Sequence, residues 1–300
     1  MSDKNAEKIA KPSLIARIQD LIASKGGRCA MPVYILMLLG FIAPLAMVAG
    51  FSVAEPKSFT AFTSFSLANF AALFEGSVWK SFAWSIGLAA FTTAILVPIC
   101  YPVAVGMVRV FGRMGSLAVS VLSVFPMFVS ENVRLYGWIL FFTKKGILDG
   151  TLALLNGQGP DVLYTPGMTA FGMVYTYLPY MLFPIVLGVA LVPPDLITAA
   201  RDLGASRFRT WREIELPLAM PGVLIGMLLT FVLSAGAVAE SKIVGGESVM
   251  VVTNEVNVAF SYSQNWPMGA AFAVTLTFII GALTIYAFRK IDLDKILGRA

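Results

Sequence analysis

The chain has 300 residues, 58% of them hydrophobic and only 13% charged, with a net charge of +5. Soluble domains carry about 25% charged residues, so the composition excludes a soluble fold and points to the membrane class. The absence of histidine excludes His-ligated metals, His general bases and Ser-His-Asp triads.

In chain order, residues 1–31 come first. They are charged with both signs and lack a small-residue cleavage site after a short apolar core, so they read as a cytosolic tail rather than a signal peptide. A surface helix is expected from Ser13 to Ala23. A helix crosses the hydrocarbon core in about 20 apolar residues, and six stretches meet that length: Pro32–Val53, Phe82–Val105, Leu117–Phe142, Met168–Val192, Gly222–Ala239 and Met268–Phe288. Their internal prolines, among them Pro98, Pro126 and Pro179, are tolerated because neighbouring helices satisfy the freed carbonyls. Cys29 and Cys100 fall at a basic flank and inside an apolar run, which argues against a disulfide or a zinc site and for plain structural cysteines.

Lys and Arg set the orientation. Most of the 22 basic residues lie in the N-terminal tail, at Arg109 and Arg113, at Arg201, Arg207, Arg209 and Arg212, and in the C-terminal tail 291–300 with the adjoining Arg289 and Lys290. The other side holds Lys57, Lys80, Lys144, Lys145 and Lys242. Both termini are therefore expected in the cytosol, as an even number of spans requires. The outer loops are polar, aromatic and Gly-rich, and the stretch from Gly245 to Pro267 reads as partly extended or re-entrant.

Between the fourth and fifth spans, residues 193–219 contain "TAARDLGASRFRTWREIELP", from Thr198 to Pro217. Pro193 and Pro194 end the preceding span, and Asp195 is expected to cap a short helix. Gly204 supplies a left-handed stop. Ser206 is expected to cap a second short helix, and Pro217 and Pro221 to restart the chain into the fifth span. The Ala199–Ala200 face is small enough to dock closely on a partner. The arginines suit an acidic partner or anionic lipid headgroups.

This spacing resembles the EAA loop of ATP-binding-cassette importer permeases, E-A-A-x3-G-x9-I-x-L-P. Ala199, Ala200, Gly204, Ile214, Leu216 and Pro217 fall at its positions, and Thr198 stands where the family has Glu. "ENVRLYGW", "VYTYLPYMLFPI" and "NWPMGAA" are similar to segments of the PotB-like permeases of spermidine/putrescine importers, so the resemblance covers residues 67–290. It implies an all-α polytopic fold of the type I importer permeases, with six transmembrane helices in the bacterial inner membrane. Residues 67–290 would be the permease core, with residues 32–66 supplying a peripheral first helix and the start of the outer loop. It also implies an ATPase dimer that binds ATP and Mg, a second permease forming a heterodimer, and a periplasmic substrate-binding protein. Membrane lipid is a further partner; nucleic acid is not. Thr198, Ala199, Ala200, Arg201, Asp202 and Gly204, with Ile214, Leu216 and Pro217, would couple the chain to the ATPase. No cofactor is expected in this chain, which has no G-x-x-x-x-G-K-[ST] phosphate loop.

Charged groups at membrane depth usually face a cavity or a partner. Glu131 and Arg134 are spaced i to i+3 on one helical face. They are read as an intrahelical ion pair, as lining of a solute path, or as an outer-leaflet snorkelling pair. Glu240, near the outer end of the fifth span, is a second carboxylate able to neutralise an ammonium. Tyr175, Tyr177 and Trp266 are candidate cation-facing aromatics, against the alternative of interfacial anchoring.

The expected function is import of a small solute, a polyamine by resemblance, by alternating access. Other solutes of related permeases, including opines, amino-acid derivatives and iron complexes, are the alternatives. A membrane enzyme is disfavoured by the absence of H-E-x-x-H and of paired carboxylates on one span. A standalone secondary transporter would have no use for the EAA-like loop.

Overall fold

The computed structural model describes residues 25–60, 65–74, 76, 78–154, 157 and 159–290. The expected surface helix Ser13–Ala23 and the C-terminal tail lie outside the described residues. The described chain is helical throughout. Helix α1 runs Lys25–Met37, through a π-turn Leu38–Ile42, into Ala43–Ser52. It is followed by α2 (Ala68–Ala72), α3 (Val78–Arg109), α4 (Gly112–Val124), α5 (Glu131–Phe142), α6 (Ile147–Ala153), α7 (Pro166–Ala190) and α8 (Pro194–Asp202). Helix α9 starts at Arg207–Thr210, passes a π-turn at Trp211–Glu215 and continues as Leu216–Ala235. Then come α10 (Ala239–Ile243), α11 (Val252–Ser261) and α12 (Trp266–Lys290).

Five helices among the described residues are long and apolar enough to cross a bilayer: Met31–Ser52, Val78–Arg109, Pro166–Ala190, Arg207–Ala235 and Trp266–Tyr286. The expected continuous third span Leu117–Phe142 is instead broken. Gly112–Phe128 and Glu131–Ala153 meet at 101° and count as a sixth crossing only if the bent pair is one span. The break follows from local chemistry. Pro126 cannot continue the α-ladder, the chain tightens into a 3₁₀ turn at Phe125–Phe128, and Val129 is extended. Helix α5 then restarts with Glu131 in its first turn, where the helix dipole favours a carboxylate.

The core is a three-helix bundle of α3, α7 and α9, centred on Leu96, Met173, Met181, Leu182, Ile185 and Val189. Helix α7 begins where Thr165 accepts a hydrogen bond from the Met168 N–H and Pro166 takes a first-turn position, a favourable start for a helix. Helices α7 and α9 touch backbone to backbone. A Cβ on Gly188 would lie 2.7 Å from the Ala219 carbonyl oxygen and 2.8 Å from the Gly222 Cα. Small residues at such crossings permit the close packing that drives helix association in lipid. Cys100 is buried in this bundle as a free thiol, its Sγ 3.8 Å from the Leu178 carbonyl, in keeping with a structural role.

Helix α1 leans on α12, with nearly all the large side chains described from Met31 onward exposed, as a lipid-facing surface demands. Its C-terminal end is fixed by Trp266, whose ring meets Phe51 at 5.9 Å and Phe59 at 5.7 Å, both edge-on. Asn265 ties the same corner together, its Oδ1 accepting from the Lys57 and Met268 N–H groups.

Candidate functional site

Two groups of polar residues stand out, one on the 193–219 loop and one beside α7. In the loop, Pro193 takes the N-cap position with extended backbone and no side-chain bond, and Pro194 opens α8. Asp195 is therefore not the cap expected of it. It sits in the first turn, where it complements the dipole. Helix α8 ends as foreseen. Gly204 has φ +86°, its N–H donates to the Arg201 carbonyl, and the Ala205 N–H donates to the Ala200 carbonyl. These two bonds form a Schellman stop. Ser206 caps the next turn by accepting from the Arg209 N–H at 3.3 Å.

Pro217 and Pro221 do not restart the chain. The turn at Arg207 flows through the π-turn directly into the fifth span, so Ile214, Leu216 and Pro217 lie on the base of α9 rather than on a separate linker. Thr198, Ala199, Arg201, Asp202 and Gly204 gather on an exposed knob, with Ala200 half-buried. Leu203, 90% exposed, is its apolar tip, and Phe208 stands exposed beside it. Ile197 points inward and is buried. Thr198 donates its hydroxyl to the Pro194 carbonyl of its own helix at 3.2 Å.

Beneath the knob the structure adds residues that sequence reasoning missed. Arg109, the last residue of α3, pairs with Glu215 through Nε and Oε1 at 2.9 Å, and Glu215 is buried. Tyr101 of α3 meets Trp211 edge-on at 6.1 Å. The only signal in the sequence was a carboxylate at the free position of I-x-L-P amid arginines; its partner lies 106 residues away.

The second group forms where α5, α7 and α10 converge. The fifth span ends at Ala235, so Glu240 is not on it but on the separate short helix α10. Helix α10 sits flush on α7: a Cβ on Gly172 would meet Val244 Cγ2 at 3.0 Å and Glu240 Cγ at 3.3 Å. Glu240 is fully buried and neither carboxylate oxygen makes a hydrogen bond. The Tyr177 and Thr176 hydroxyls are the side-chain donors nearest its carboxylate, and Glu131 is within its electrostatic reach.

Glu131 and Arg134 form no ion pair. The three ion pairs among the described residues are Arg109–Glu215, Lys144–Asp161 and Arg209–Glu213. Arg134 instead lies over the Tyr175 ring at 5.5 Å from its centroid, with its Nε buried and unpartnered. Tyr175 in turn packs edge-on against Trp138 at 5.4 Å. Glu131, Arg134, Tyr175, Tyr177 and Glu240 thus come from three elements that pack together. Trp266 does not join them. It belongs to the aromatic corner at the C-terminal end of α1, packed against Phe51, Phe59 and Phe260. The arrangement brings together a buried carboxylate, a half-buried guanidinium and aromatic faces.

Residues 96–292 match the protein family described as "Binding-protein-dependent transport system inner membrane component". The spermidine/putrescine transport system permease protein PotB of Escherichia coli (strain K12) is 30% identical over 258 residues, which cover 85% of this chain and 93% of that protein. The inner membrane ABC transporter permease protein YdcU of the same organism is 30% identical over 238 residues, 75% of each chain. In fold, the chain matches a chain of a bacterial ABC transporter involved in the import of the acidic polysaccharide alginate. The TM-score is 0.75 at 15% identity, covering 92% of this chain and 99% of that one.

Proposed function

Given that the chain belongs to the binding-protein-dependent transport system inner membrane components, non-catalytic membrane permeases of ATP-driven importers, we propose that it carries a polyamine across the inner membrane. The family works with an ATPase and a substrate-binding protein. In our reading residues 67–290 are the permease core, the first helix is peripheral, and both termini face the cytosol. A second permease completes the pathway as a heterodimer. Residues 198–204 dock on the ATPase, with Ile214, Leu216 and Pro217 anchoring the loop.

The observation that carries the polyamine reading is Glu240, a fully buried carboxylate with no hydrogen bond. Burying such a group is costly unless its charge is neutralised. Glu131 adds negative potential nearby, so an ammonium passing α7 would find two carboxylates. The aromatic faces of Tyr175 and Tyr177 add cation attraction. The similarity to PotB points the same way. Nucleotide drives the cycle only by binding one arrangement of the assembly better than the other.

Arg134 favours a second reading. Its unpartnered buried Nε suits a carboxylate, so a zwitterionic amino-acid derivative would engage both Arg134 and Glu240. The deciding experiment is uptake into proteoliposomes holding the full assembly with its binding protein. ATP-dependent spermidine or putrescine uptake is expected. Uptake of an amino-acid derivative with none of either polyamine would move the assignment to the second solute.

A further inference from the structure

A coupling knob moves the outer half of the permease only if something ties it to a rigid element. We infer that Arg109 and Glu215 are positioning residues that lock the loop to α3, so that α3 carries nucleotide-driven displacement to the outer face; this rests on the docking reading of the knob. Helix α3 has 32 residues, about 48 Å at 1.5 Å per residue, and its two ends are bonded to different elements. At the inner end Arg109 Nε holds Glu215 Oε1 at 2.9 Å, with side-chain exposures of 21% and 9%. The Arg209–Glu213 pair on the same loop is 68% and 57% exposed. Exposed pairs add little, whereas breaking a shielded pair leaves an uncompensated charge. Among the described residues Glu215 is the only acceptor Arg109 has, and Arg109 Nη2 is buried without one.

Glu215 also closes the π-turn Trp211–Glu215, a local widening that often marks functional sites in helices. Trp211 of that turn packs against Tyr101 of α3, so the tie is a charge pair backed by a ring contact. At the outer end, the Val252 N–H donates to Ser85 Oγ at 2.9 Å, and Ser81 Oγ donates to Glu255 at 3.0 Å. Both acceptor and donor partners sit on α11, which ends beside Tyr262, 78% exposed at the outer loop. Knob, π-turn, α3 and α11 therefore form one continuous mechanical line.

The test needs no knowledge of the solute. In the assembled complex, with Cys29 replaced by serine, Tyr262→Cys is labelled with an environment-sensitive dye and ATP is added. The wild-type loop is expected to give a nucleotide-dependent signal. Glu215→Gln and Arg109→Gln are expected to keep the ATPase bound in pull-down yet lose the signal about tenfold, within the usual range of coupling effects. The exchanged pair Arg109→Glu/Glu215→Arg, or the conservative Arg109→Lys, is expected to restore most of it. Full signal in both glutamine variants overturns the inference, as does loss of ATPase binding that Arg109→Lys fails to rescue, since the pair then serves folding alone. No signal in the wild-type loop, with the ATPase absent from the pull-down, overturns the docking reading itself.

Discussion

A carboxylate shut away from water without a hydrogen bond, as Glu240 is, destabilises a fold unless a cation or a proton offsets it. Glu240→Gln keeps the shape and removes the charge. We expect spermidine KM to rise about tenfold, the loss of one charge-assisted contact, while thermal stability holds or improves. Glu131→Gln, half-buried at the start of α5, should raise KM less. Unchanged uptake kinetics in both variants, measured beside their melting curves, would remove them from the path. Arg134 shows why residue spacing alone misleads. Glu131 and Arg134 are one turn apart, yet the guanidinium chooses the face of Tyr175, because a neighbouring helix offers an aromatic surface that no i, i+3 rule contains. Trp266 shows the same limit from another side: Phe51 and Phe59 meet its ring edge-on, contacts that no spacing within its own segment contains.

At the scale of elements, the 193–219 loop has the most local logic. Gly204 holds φ +86° with open space around its would-be Cβ, so a side chain there meets backbone strain rather than a clash. That strain is about 1–2 kcal/mol for an L-residue. Gly204→Trp should abolish ATP-dependent uptake with membrane insertion preserved, read by uptake against a membrane-fraction blot; normal uptake would show that the turn needs no close partner. Much of this loop was legible in advance, since Pro, Gly and Ser fix backbone geometry by their own chemistry. Its join to the fifth span was not. Hydropathy sees where apolar residues begin, and the first two turns of α9 are polar although the helix runs on through them. The bend after α4 was equally hidden: Pro126 was read as one tolerated proline among several, and only the extended Val129 turns it into a break. The expected fifth span ran to Ala239, but Gly236 ends α9 early and Glu240 lies on a short helix of its own.

For the whole molecule, the apolar runs announced the membrane class and five of the six expected crossings, while the pairing of helices was invisible. Nothing in a single sequence says that Gly188 meets Gly222 or that Arg109 reaches Glu215. The α7–α9 contact carries its own prediction. Gly188→Val must push two backbones apart and should lower stability by about 1–3 kcal/mol, read as an earlier melt of the purified assembly; an unshifted melt would mean the helices separate freely. The 101° bend has a wider consequence. Phe128 stands 85% exposed at its corner, and the chain leaves the helical ladder at Val129. Irregular backbone of this kind is tolerated at bilayer depth only under a protein cover or beside water. An orphaned copy, synthesised without a companion permease, should therefore be cleared by membrane proteases within a fraction of the lifetime it enjoys in its complex, and a pulse-chase with and without the companion would time the difference.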